Sequence, residues 1–312
     1  MNVVVTGGAG FIGANLCREL VSRPSVGRVV ALDDLSTGSA AHLAGTGAEL
    51  VEGSILDRQL LDEVLTGADA VVHLAARPSV PRSLADPFAS HEVNATGTVC
   101  VLEACRRRRI PVVAASSSSV YGSVAELPKH EGLPTRPLSP YAASKLATEA
   151  YALSYAAAFG LPALVFRFFN VYGPLQSAGH AYAAVVPSFI DAALRGEPLT
   201  VHGDGHQTRD FTYVGTVARV LADAVQRKVT CDSPVNLAFG TRVSVLELAH
   251  HLAKALELAV EIRHVEPRRG DVRDSQADDG ILRGLFTGLT AVPLEQGLAE
   301  TVRWFHTLPE YA

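Results

Sequence analysis

The strongest constraint on the fold is a series of six continuous apolar runs, each bounded by turn residues, with helical patterns between most of them. Runs that are apolar on both faces are what the strands of a buried parallel sheet require. With 312 residues, 48% of them apolar, the chain can bury a large core. We therefore predict a doubly wound α/β domain. The six runs are "NVVVTGG", "RVVALDD", "AELVEGS", "ADAVVHLAA", "IPVVAASSS" and "LPALVFRFFN".

The pattern changes after residue 170, where loop-like and short strand-like segments replace the regular alternation. We predict a first domain over residues 1–170 and a smaller mixed α/β domain over residues 171–312. The chain is expected to return to the first domain around residues 209–240, where "PVNLAFG" rejoins its sheet. The later helical patterns cover Val185 to Leu194, Val214 to Gln226, Val245 to Leu256 and Leu294 to Phe305.

Charge and cysteine content argue against several classes of protein. The net charge of -5 and the pI of about 6.1 do not favour nucleic acid or an anionic membrane as partner. The one dense basic run, residues 106–109, ends a helical pattern, where cations favour the helix dipole. No signal peptide or membrane span is recognisable, so we expect a soluble cytoplasmic protein. The four cysteines have no metal-ligand spacing and are expected to be buried and reduced: Cys17, Cys100, Cys105 and Cys231.

A glycine motif, "VVVTGGAGFIG", joins the first strand to the first helix and predicts a dinucleotide site. Gly7, Gly10 and Gly13 permit a tight turn and a close approach of backbone N–H groups to a pyrophosphate at the helix N-terminus. Asp33 follows Gly13 by about twenty residues, the offset expected for a carboxylate bonded to the adenosine ribose. Because this carboxylate would repel a 2′-phosphate, NAD is favoured over NADP. The alternative is that the glycines serve only a tight turn.

The segment "SPYAASK" places Tyr141 and Lys145 four residues apart at the start of a predicted helix, and therefore on one face. A phenol has a pKa of about 10 and is a poor base at neutral pH. A nearby ammonium and the positive nicotinamide ring would lower that pKa and make Tyr141 a credible base for a substrate hydroxyl. By itself this spacing also fits a packed ring beside a snorkelling amine.

The serine-rich segment "ASSSSVYG" follows an apolar strand, which places its hydroxyls at the carboxyl edge of the sheet. Doubly wound folds bind ligands at this edge. A serine there could bond the same substrate oxygen as Tyr141, or the segment could be a turn that satisfies its own backbone.

Together these motifs resemble the extended short-chain dehydrogenase/reductase family, and within it the nucleotide-sugar epimerases and dehydratases of the UDP-glucose 4-epimerase type. The resemblance covers nearly the whole chain and implies a Rossmann-type sheet, NAD as cofactor and a UDP-linked nucleotide-sugar as substrate. The matching segments, in the family's order, are "TGGAGFIG", "DDLSTG", "HLAA", "SSSSVYG", "YAASK", "FFNVYGP", "GDGHQTRDF" and "PRRGDV".

The resemblance also implies roles for individual residues. Tyr141, Lys145 and Ser117 match the catalytic residues. The substrate-binding positions are Ser117, Asn170, Arg209, Arg268, Asp271 and Ser275, of which the arginines suit diphosphate oxygens. The cofactor-binding positions are Gly7, Gly10, Phe11, Ile12, Gly13, Asp33, Ser36, Gly38, Ser54, Ile55, Ala75, Ala76, Asn94, Tyr141 and Lys145. Three positions depart from the family pattern: Ser54, often aspartate; Asp34, often asparagine; and Phe168, often tyrosine.

Two reactions begin with oxidation at the sugar C4. An epimerase then needs only to return the hydride to the other face. A 4,6-dehydratase must also move protons at C5 and C6, for which the family uses an Asp-Glu pair after the catalytic Ser/Thr; Ser118 and Ser119 stand there instead. We therefore predict a 4-epimerase acting on a UDP-hexose or UDP-N-acetylhexosamine.

An unusual dehydratase forming a 5,6-alkene stays open, because some acid–base candidates cannot be placed from sequence: Glu126, Glu131, His180, His202 and His206. A non-catalytic NAD-binding sensor is a further alternative.

The resemblance carries two further expectations. Helical patterns at Val93 to Cys105 and Ala142 to Phe159 match the helices with which the family builds a homodimer. Ser275 matches a position that lines the sugar pocket, where a small residue leaves room for a 2-acetamido group and a tyrosine does not.

Overall fold

The structure is a computed structural model that describes residues 1–178, 183–267 and 273–311. The strands are β1 (Asn2–Thr6), β2 (Arg28–Asp33), β3 (Glu49–Glu52), β4 (Ala70–His73), β5 (Val112–Ser117), β6 (Ala163–Phe168), β7 (Asn170–Tyr172), β8 (Leu199–His202), β9 (Thr208–Arg209), β10 (Phe211–Tyr213), β11 (Val235–Leu237), β12 (Val243–Ser244) and β13 (Ile262–Val265).

The helices connect these strands. They are α1 (Phe11–Val21), α2 (Arg58–Val64), α3 (Val80–Ala85), α4 (Pro87–His91), α5 (Gly97–Arg108), α6 (Pro140–Phe159), α7 (Val185–Leu194), α8 (Val214–Gln226), α9 (Val245–Leu256), α10 (Gly280–Leu285) and α11 (Leu294–Phe305). A π-helical turn, Glu92–Thr96, leads into α5, and short 3₁₀ turns cover Ala40–Leu43, Ser118–Tyr121 and Pro309–Tyr311.

The central sheet has seven parallel strands in the order β11-β6-β5-β4-β1-β2-β3. All six predicted runs form strands of this sheet, and the predicted doubly wound α/β fold is confirmed. The strand order reverses between β1 and β4, so the connections leave the sheet on opposite faces at that point. Such a switch point opens a crevice at the carboxyl ends of the strands, where doubly wound folds bind ligands.

Successive residues of β1 pack into different core layers. Val3 and Val5 belong to the layer under α1 and α8, whereas Val4 belongs to the opposite layer, with Leu102 of α5 and Ala152 of α6. Because a strand alternates its side chains between faces, this is why the strand had to be apolar throughout.

The chain rejoins the sheet after the second region begins. Helix α8 packs on α1, and β11 pairs with β6, in register Val235 to Phe166. Leu282 and Phe286, at α10, also contribute to the core layer under α1. A separate core lies between α7, α9, α11 and the short strands β8 and β10. The four helices predicted after residue 170 occur with the predicted bounds.

The basic run ends α5 as predicted. Arg107 and Arg108 both contact the carboxylate of Asp62, at 2.8 and 2.7 Å, and Arg106 pairs with Glu103 at 2.9 Å. The charges of these three arginines are therefore paired with carboxylates of the protein itself.

Candidate functional site

The glycine loop between β1 and α1 is closely packed, and this packing requires its glycines. Gly7 has a φ of +70°, and a Cβ there would lie 2.7 Å from the backbone nitrogen of Ala75. A Cβ on Gly13 would lie 2.0 Å from the carbonyl oxygen of Gly7. Helix α1 therefore begins directly against a bare backbone turn, with its N-terminal N–H groups towards the crevice. This cradle fits the pyrophosphate of a dinucleotide.

Asp33 ends β2 beside this loop. Its Oδ2 accepts a hydrogen bond from the N–H of Ala9 at 2.9 Å, and its Oδ1 accepts one from the N–H of Leu35 at 2.9 Å. Burial raises the pKa of the carboxyl, while these backbone hydrogen bonds act in the opposite direction. Gly38 packs against the same group, since a Cβ there would lie 3.0 Å from Asp33 Oδ1. Asp33 thus links the glycine loop to the backbone that follows β2.

A long cavity of about 860 Å³ runs along the carboxyl edge of the sheet, from Asp33 to Tyr141. Its volume and elongated lining suit a dinucleotide. It brings together most residues predicted from sequence to bind a cofactor: Gly7, Gly10, Phe11, Ile12, Gly13, Asp33, Ser36, Ser54, Ile55, Ala75, Ala76, Tyr141 and Lys145. Ser117 and Asn170, predicted to bind substrate, line the same cavity at its inner end.

Two predicted cofactor residues, Gly38 and Asn94, are not among the described residues that line this cavity. Asn94 is 1% exposed. Its Oδ1 accepts from the N–H of Arg77 at 2.7 Å, and its Nδ2 donates to the carbonyl of Arg77 and to Ser144 Oγ at 3.2 and 2.9 Å. The amide is therefore committed to holding the loop after β4, which carries Ala75 and Ala76, rather than pointing at a ligand.

Tyr141 and Lys145 lie one turn apart near the start of α6, where the hydroxyl of Ser139 caps the helix by accepting from the N–H of Ala142 at 3.1 Å. Lys145 is 6% exposed, and its Nζ donates to the carbonyl of Ala115 on β5 at 2.9 Å. Burial lowers the pKa of Lys145 to about 8. The ammonium is thus held against the sheet beside the long cavity.

Tyr141 is hydrogen-bonded to Ser117, which ends β5. Burial raises the pKa of the Tyr141 phenol, and the Ser117 hydroxyl lowers it in part. The protein's own groups therefore leave the phenol protonated at neutral pH. The activation predicted from sequence depends on a positive charge beside the phenol in addition to the lysine.

A second cavity of about 330 Å³ adjoins the first at Ser117, Phe168, Phe169 and Asn170. It is lined further by Arg209 and Ser275, two residues that sequence analysis assigned to the substrate, and by the serines after Ser117. A third cavity of about 260 Å³ also has Asn170 and Arg209 in its wall. The predicted residues Arg268 and Asp271, and His180, lie outside the described residues.

One carboxylate, Asp274, is among the described residues that line the second cavity. Thr208 Oγ1 donates to it at 2.6 Å and Arg242 Nη2 at 3.3 Å. The hydrogen bond from Thr208, with that from Arg242, lowers its pKa. A carboxylate held ionised in this way cannot donate a proton at neutral pH.

The described acid–base candidates that could not be placed from sequence do not line the second cavity. Glu131 accepts from the N–H of Asn236 at 2.8 Å, and Glu126 lies 3.5 Å from His130 on the surface. His202 lines the third cavity, and the N–H of His206 is bonded to Asp204.

Sequence reasoning missed Asp210, whose backbone carbonyl accepts at 3.2 Å from the N–H of Asn170, a residue that lines the second cavity. It is fully buried and accepts from Gly240 N–H and Ala277 N–H at 3.0 Å each and from Thr241 Oγ1 at 2.8 Å. Burial raises its pKa to about 6. It directly follows Arg209 in "GDGHQTRDF", but its partners are distant in sequence, so no local pattern could reveal its contacts.

Lys129 was also missed. It is almost fully buried in the wall of the second cavity, and its Nζ donates to the carbonyl oxygens of Val124 and Glu126. No motif around Lys129 in the sequence predicted that this residue would be buried beside a cavity.

In the described parts of the chain, none of the helices has both the length and the apolar character needed to cross a membrane.

Comparison with known proteins gives consistent matches. The chain matches the model of the NAD dependent epimerase/dehydratase family over residues 3–238. It is 36% identical over 318 residues to the UDP-glucose 4-epimerase of Mycolicibacterium smegmatis, with 98% of each chain covered. The structure of UDP-N-acetylglucosamine 4-epimerase from Methanobrevibacter ruminantium, in complex with UDP-N-acetylmuramic acid, matches with a TM-score of 0.93 at 34% identity over 98% of both chains. TunA, an NAD-dependent NDP-hexosamine 5,6-dehydratase of tunicamycin biosynthesis, matches with a TM-score of 0.89 at 32% identity over 98% of both chains.

Proposed function

Since the chain belongs to the NAD-dependent epimerase/dehydratase family, we propose that this NAD-dependent enzyme is a nucleotide-sugar 4-epimerase. The observation that carries the proposal is the position of Ser117, Tyr141 and Lys145, here called the catalytic set. All three line the long cavity, and Ser117 also lines the second cavity that adjoins it. A sugar in the second cavity would present its hydroxyls to the catalytic set. Its diphosphate would lie towards Asn170 and Arg209, which line both the second and third cavities.

The glycine cradle, Asp33 and the loop carrying Ala75 would hold the cofactor. NAD, when bound, supplies the acceptor for the C4 hydride and the donor that returns it. Tyr141 takes the proton of the C4 hydroxyl, which leaves a 4-keto sugar, and later returns a proton to the C4 oxygen. Ser117 orients that oxygen through its hydroxyl. Lys145, fixed on Ala115, contributes positive charge that favours the phenolate.

Epimerisation is favoured over 4,6-dehydration by the chemistry of the second cavity. Ser118 and Ser119 occupy the positions that follow Ser117, and both line this cavity. Their hydroxyls cannot act as acid or base near pH 7, and Asp274 is held ionised. A keto-sugar that turns over between two hydride transfers needs no further acid or base.

A second function is favoured by the similarity to the 5,6-dehydratase TunA. Such an activity on this chain would draw its acid from Tyr141 or from Lys129, whose pKa is lowered by burial and which lines the second cavity.

The proposed substrates are UDP-hexoses and, above all, UDP-N-acetylhexosamines. Ser275 lines the second cavity together with Ser117, and its N–H donates to the carbonyl of Thr208 at 3.1 Å, which fixes its backbone. A tyrosine at this position would fill space that the serine leaves open for an acetamido group. We expect Ser275→Tyr to weaken turnover of UDP-N-acetylglucosamine selectively, in steady-state assays of both sugars. An equal loss for both sugars would show that this residue does not control access.

The decisive experiment is incubation of the purified protein with UDP-glucose, UDP-N-acetylglucosamine and dTDP-glucose, with products identified by NMR. A C4 epimer of at least one sugar supports the proposal. An alkene or a deoxy-keto sugar without any epimer would replace it with dehydration. NAD released on denaturation and quantified by absorbance confirms that each preparation is loaded.

We also propose a homodimer formed through α5 and α6. Tyr151 and Phe159 of α6 are exposed, and Phe88 of the adjoining α4 is 75% exposed. An apolar face of this kind on a monomer is typical of a contact with another protein. Light scattering should show a dimer at micromolar concentration and a monomer for Phe88→Glu. A monomeric wild-type protein would reject the proposal.

A further inference from the structure

A buried ion pair lies directly behind the catalytic set. Glu149 of α6 is 4% exposed and Arg167 of β6 is 3% exposed. The guanidinium binds the carboxylate as a fork, with Nε to Oε2 at 2.9 Å and Nη2 to Oε1 at 2.5 Å. This bidentate geometry fixes both the distance and the relative orientation of the two side chains. The pair therefore sets how α6 lies on β6.

Each partner is close in sequence or register to a member of the catalytic set. Glu149 lies one helical turn after Lys145. Arg167 lies opposite Ser116 in the pairing of β5 with β6, next to Ser117. Ser116 Oγ is 3.0 Å from Glu149 Oε2 and 3.3 Å from the backbone oxygen of Lys145. The single hydroxyl proton of Ser116 thus ties β5 to the same part of α6.

Helix α6 buries few large apolar side chains. Ala142 and Ala152 are small, and Tyr155, near the C-terminal end of the helix, lies more than two turns from Lys145. Around Lys145 the contact of α6 with the sheet therefore depends largely on polar side chains. A change of one ångström in the height of α6 would displace Tyr141 and Lys145 relative to Ser117, which is carried by β5.

The ion pair is also anchored at its other end. The guanidinium of Arg167 stacks on the ring of Tyr121, 4.6 Å from its centre. The Tyr121 hydroxyl donates to Asn236 Oδ1 at 2.7 Å, and Asn236 Nδ2 donates to the carbonyl of Lys129 at 2.8 Å. Lys129 lines the second cavity. The same network therefore joins the catalytic helix to the cavity wall.

We propose that Glu149 and Arg167 are positioning residues, which hold α6 against β5 and β6 at the height and rotation that align the catalytic set. A buried ion pair is often replaceable by apolar residues without loss of stability, because desolvation offsets the attraction between the charges. Its stability effect and its positioning effect can therefore be separated by mutation. The proposal rests on the proposed function for its kinetic consequence, but not for its effect on Tyr141.

The test compares the NAD-loaded wild type with Glu149→Gln and with the double variant Glu149→Leu/Arg167→Met. Three quantities are measured: the melting temperature, kcat and KM for the sugar that is turned over, and the ionisation of Tyr141. The last is followed by ultraviolet difference absorbance of the phenolate. For each protein the spectrum of the same protein carrying Tyr141→Phe is subtracted, because the ion-pair variants also change the surroundings of Tyr121. Leu252→Ala, a buried substitution in α9, is the control for stability loss without contact to this network.

We expect the double variant to melt near the wild type while its kcat falls about tenfold or more and its KM changes less than about threefold, because misplacement affects the transition state most. The Tyr141 ionisation should move in both variants and not in Leu252→Ala. Glu149→Gln leaves the buried Arg167 without its counter-charge and is therefore expected to melt below the wild type. If the double variant does not fold, the kcat and Tyr141 ionisation of Glu149→Gln are compared with those of Leu252→Ala, which also melts below the wild type. Two results would overturn the proposal. One is wild-type kcat in a folded double variant. The other is a loss of kcat in Leu252→Ala that is as large, for the same drop in melting temperature, as the loss in the ion-pair variants.

The two proposals fail in distinguishable ways. If the wild type turns over none of the three nucleotide-sugars, the proposed function fails, and the Tyr141 ionisation still decides whether the ion pair positions α6. An unchanged ionisation in Glu149→Gln would then overturn the positioning role.

Discussion

His73, the last residue of β4, is a buried histidine with a hydroxyl partner at each ring nitrogen. It is 3% exposed, and Thr6 Oγ1 lies 2.7 Å from its Nδ1. Its Nε2 lies 3.0 Å from Thr98 Oγ1. Because the hydroxyl proton of Thr98 is donated to the carbonyl of Asn94 at 2.6 Å, Thr98 must accept from Nε2. In the neutral ring, which burial favours, Nδ1 accepts from Thr6 Oγ1.

The cost of protonating His73 follows from this environment. Burial, and after it the charge of Lys145, lowers the pKa of His73 from 6.5 to about 3. Between those pH values the unfolded chain binds a proton that the folded protein does not, so stability is present above pH 6.5 and is lost as the pH falls. Each pH unit well inside this window removes about 1.4 kcal/mol, so the loss between pH 7.5 and 4.5 is on the order of 2–3 kcal/mol.

His73→Gln tests this reasoning, because the glutamine amide can accept from Thr6 and donate to Thr98 but does not titrate in this range. We expect the variant to be less stable than wild type at pH 7.5 by about 1–2 kcal/mol. By pH 4.5 that difference should shrink by roughly 2–3 kcal/mol, which makes the variant at least as stable as wild type.

The assay is urea unfolding at a fixed excess of NAD, at pH values of about 7.5, 6.5, 5.5 and 4.5, which cross the window in steps of about one unit. His250→Gln, at an exposed position of α9, is the control and should leave the slope of stability against pH unchanged. Parallel pH curves for wild type and His73→Gln would refute the argument that the buried ring stays neutral.

Three further predictions concern the catalytic set and the cradle. Tyr141→Phe should retain its NAD, measured by absorbance after denaturation, and lose about 100-fold or more in kcat, because it lacks the base; comparable activity would mean that another group takes the proton. With Lys145 at a pKa of about 8, kcat should fall as the pH rises through about 8, since the ammonium that favours the phenolate loses its proton; a pH profile that keeps rising beyond that point would contradict this. Gly13→Ala should weaken NAD binding at least about tenfold in fluorescence titrations, because its Cβ would displace the Gly7 carbonyl; Gly284→Ala, with open space around it in α10, should bind NAD normally.

The fold could be predicted from the sequence because its signals are local. Continuous apolar runs required buried strands, and the helices predicted after residue 170 have clear amphipathic patterns, so even their bounds were correct. The glycine spacing likewise reports a local backbone geometry. These features depend on residues that lie near one another in the sequence.

The parts of the site that were not predicted depend on contacts between distant segments. Asn94 matched a cofactor position by resemblance, but its amide is bonded to Arg77 and to Ser144, fifty residues away. Asp210 binds backbone N–H groups at residues 240 and 277. No spacing in one sequence encodes which distant groups a buried carboxylate or amide will meet, so these assignments required the three-dimensional structure.

The two ends of the site therefore differ in how they are built. The end proposed to hold the cofactor is formed by main-chain groups at the switch point of the sheet, where a side chain at Gly7 or Gly13 would collide with backbone. The second cavity, proposed to hold the sugar, is lined by side chains from separate segments, such as Arg209 and Ser275. Backbone geometry tolerates little substitution, whereas side chains on a supported wall can be exchanged while the fold is kept. We therefore expect substitutions in the second cavity to change which nucleotide-sugar is accepted and which product forms, while the preference for NAD persists.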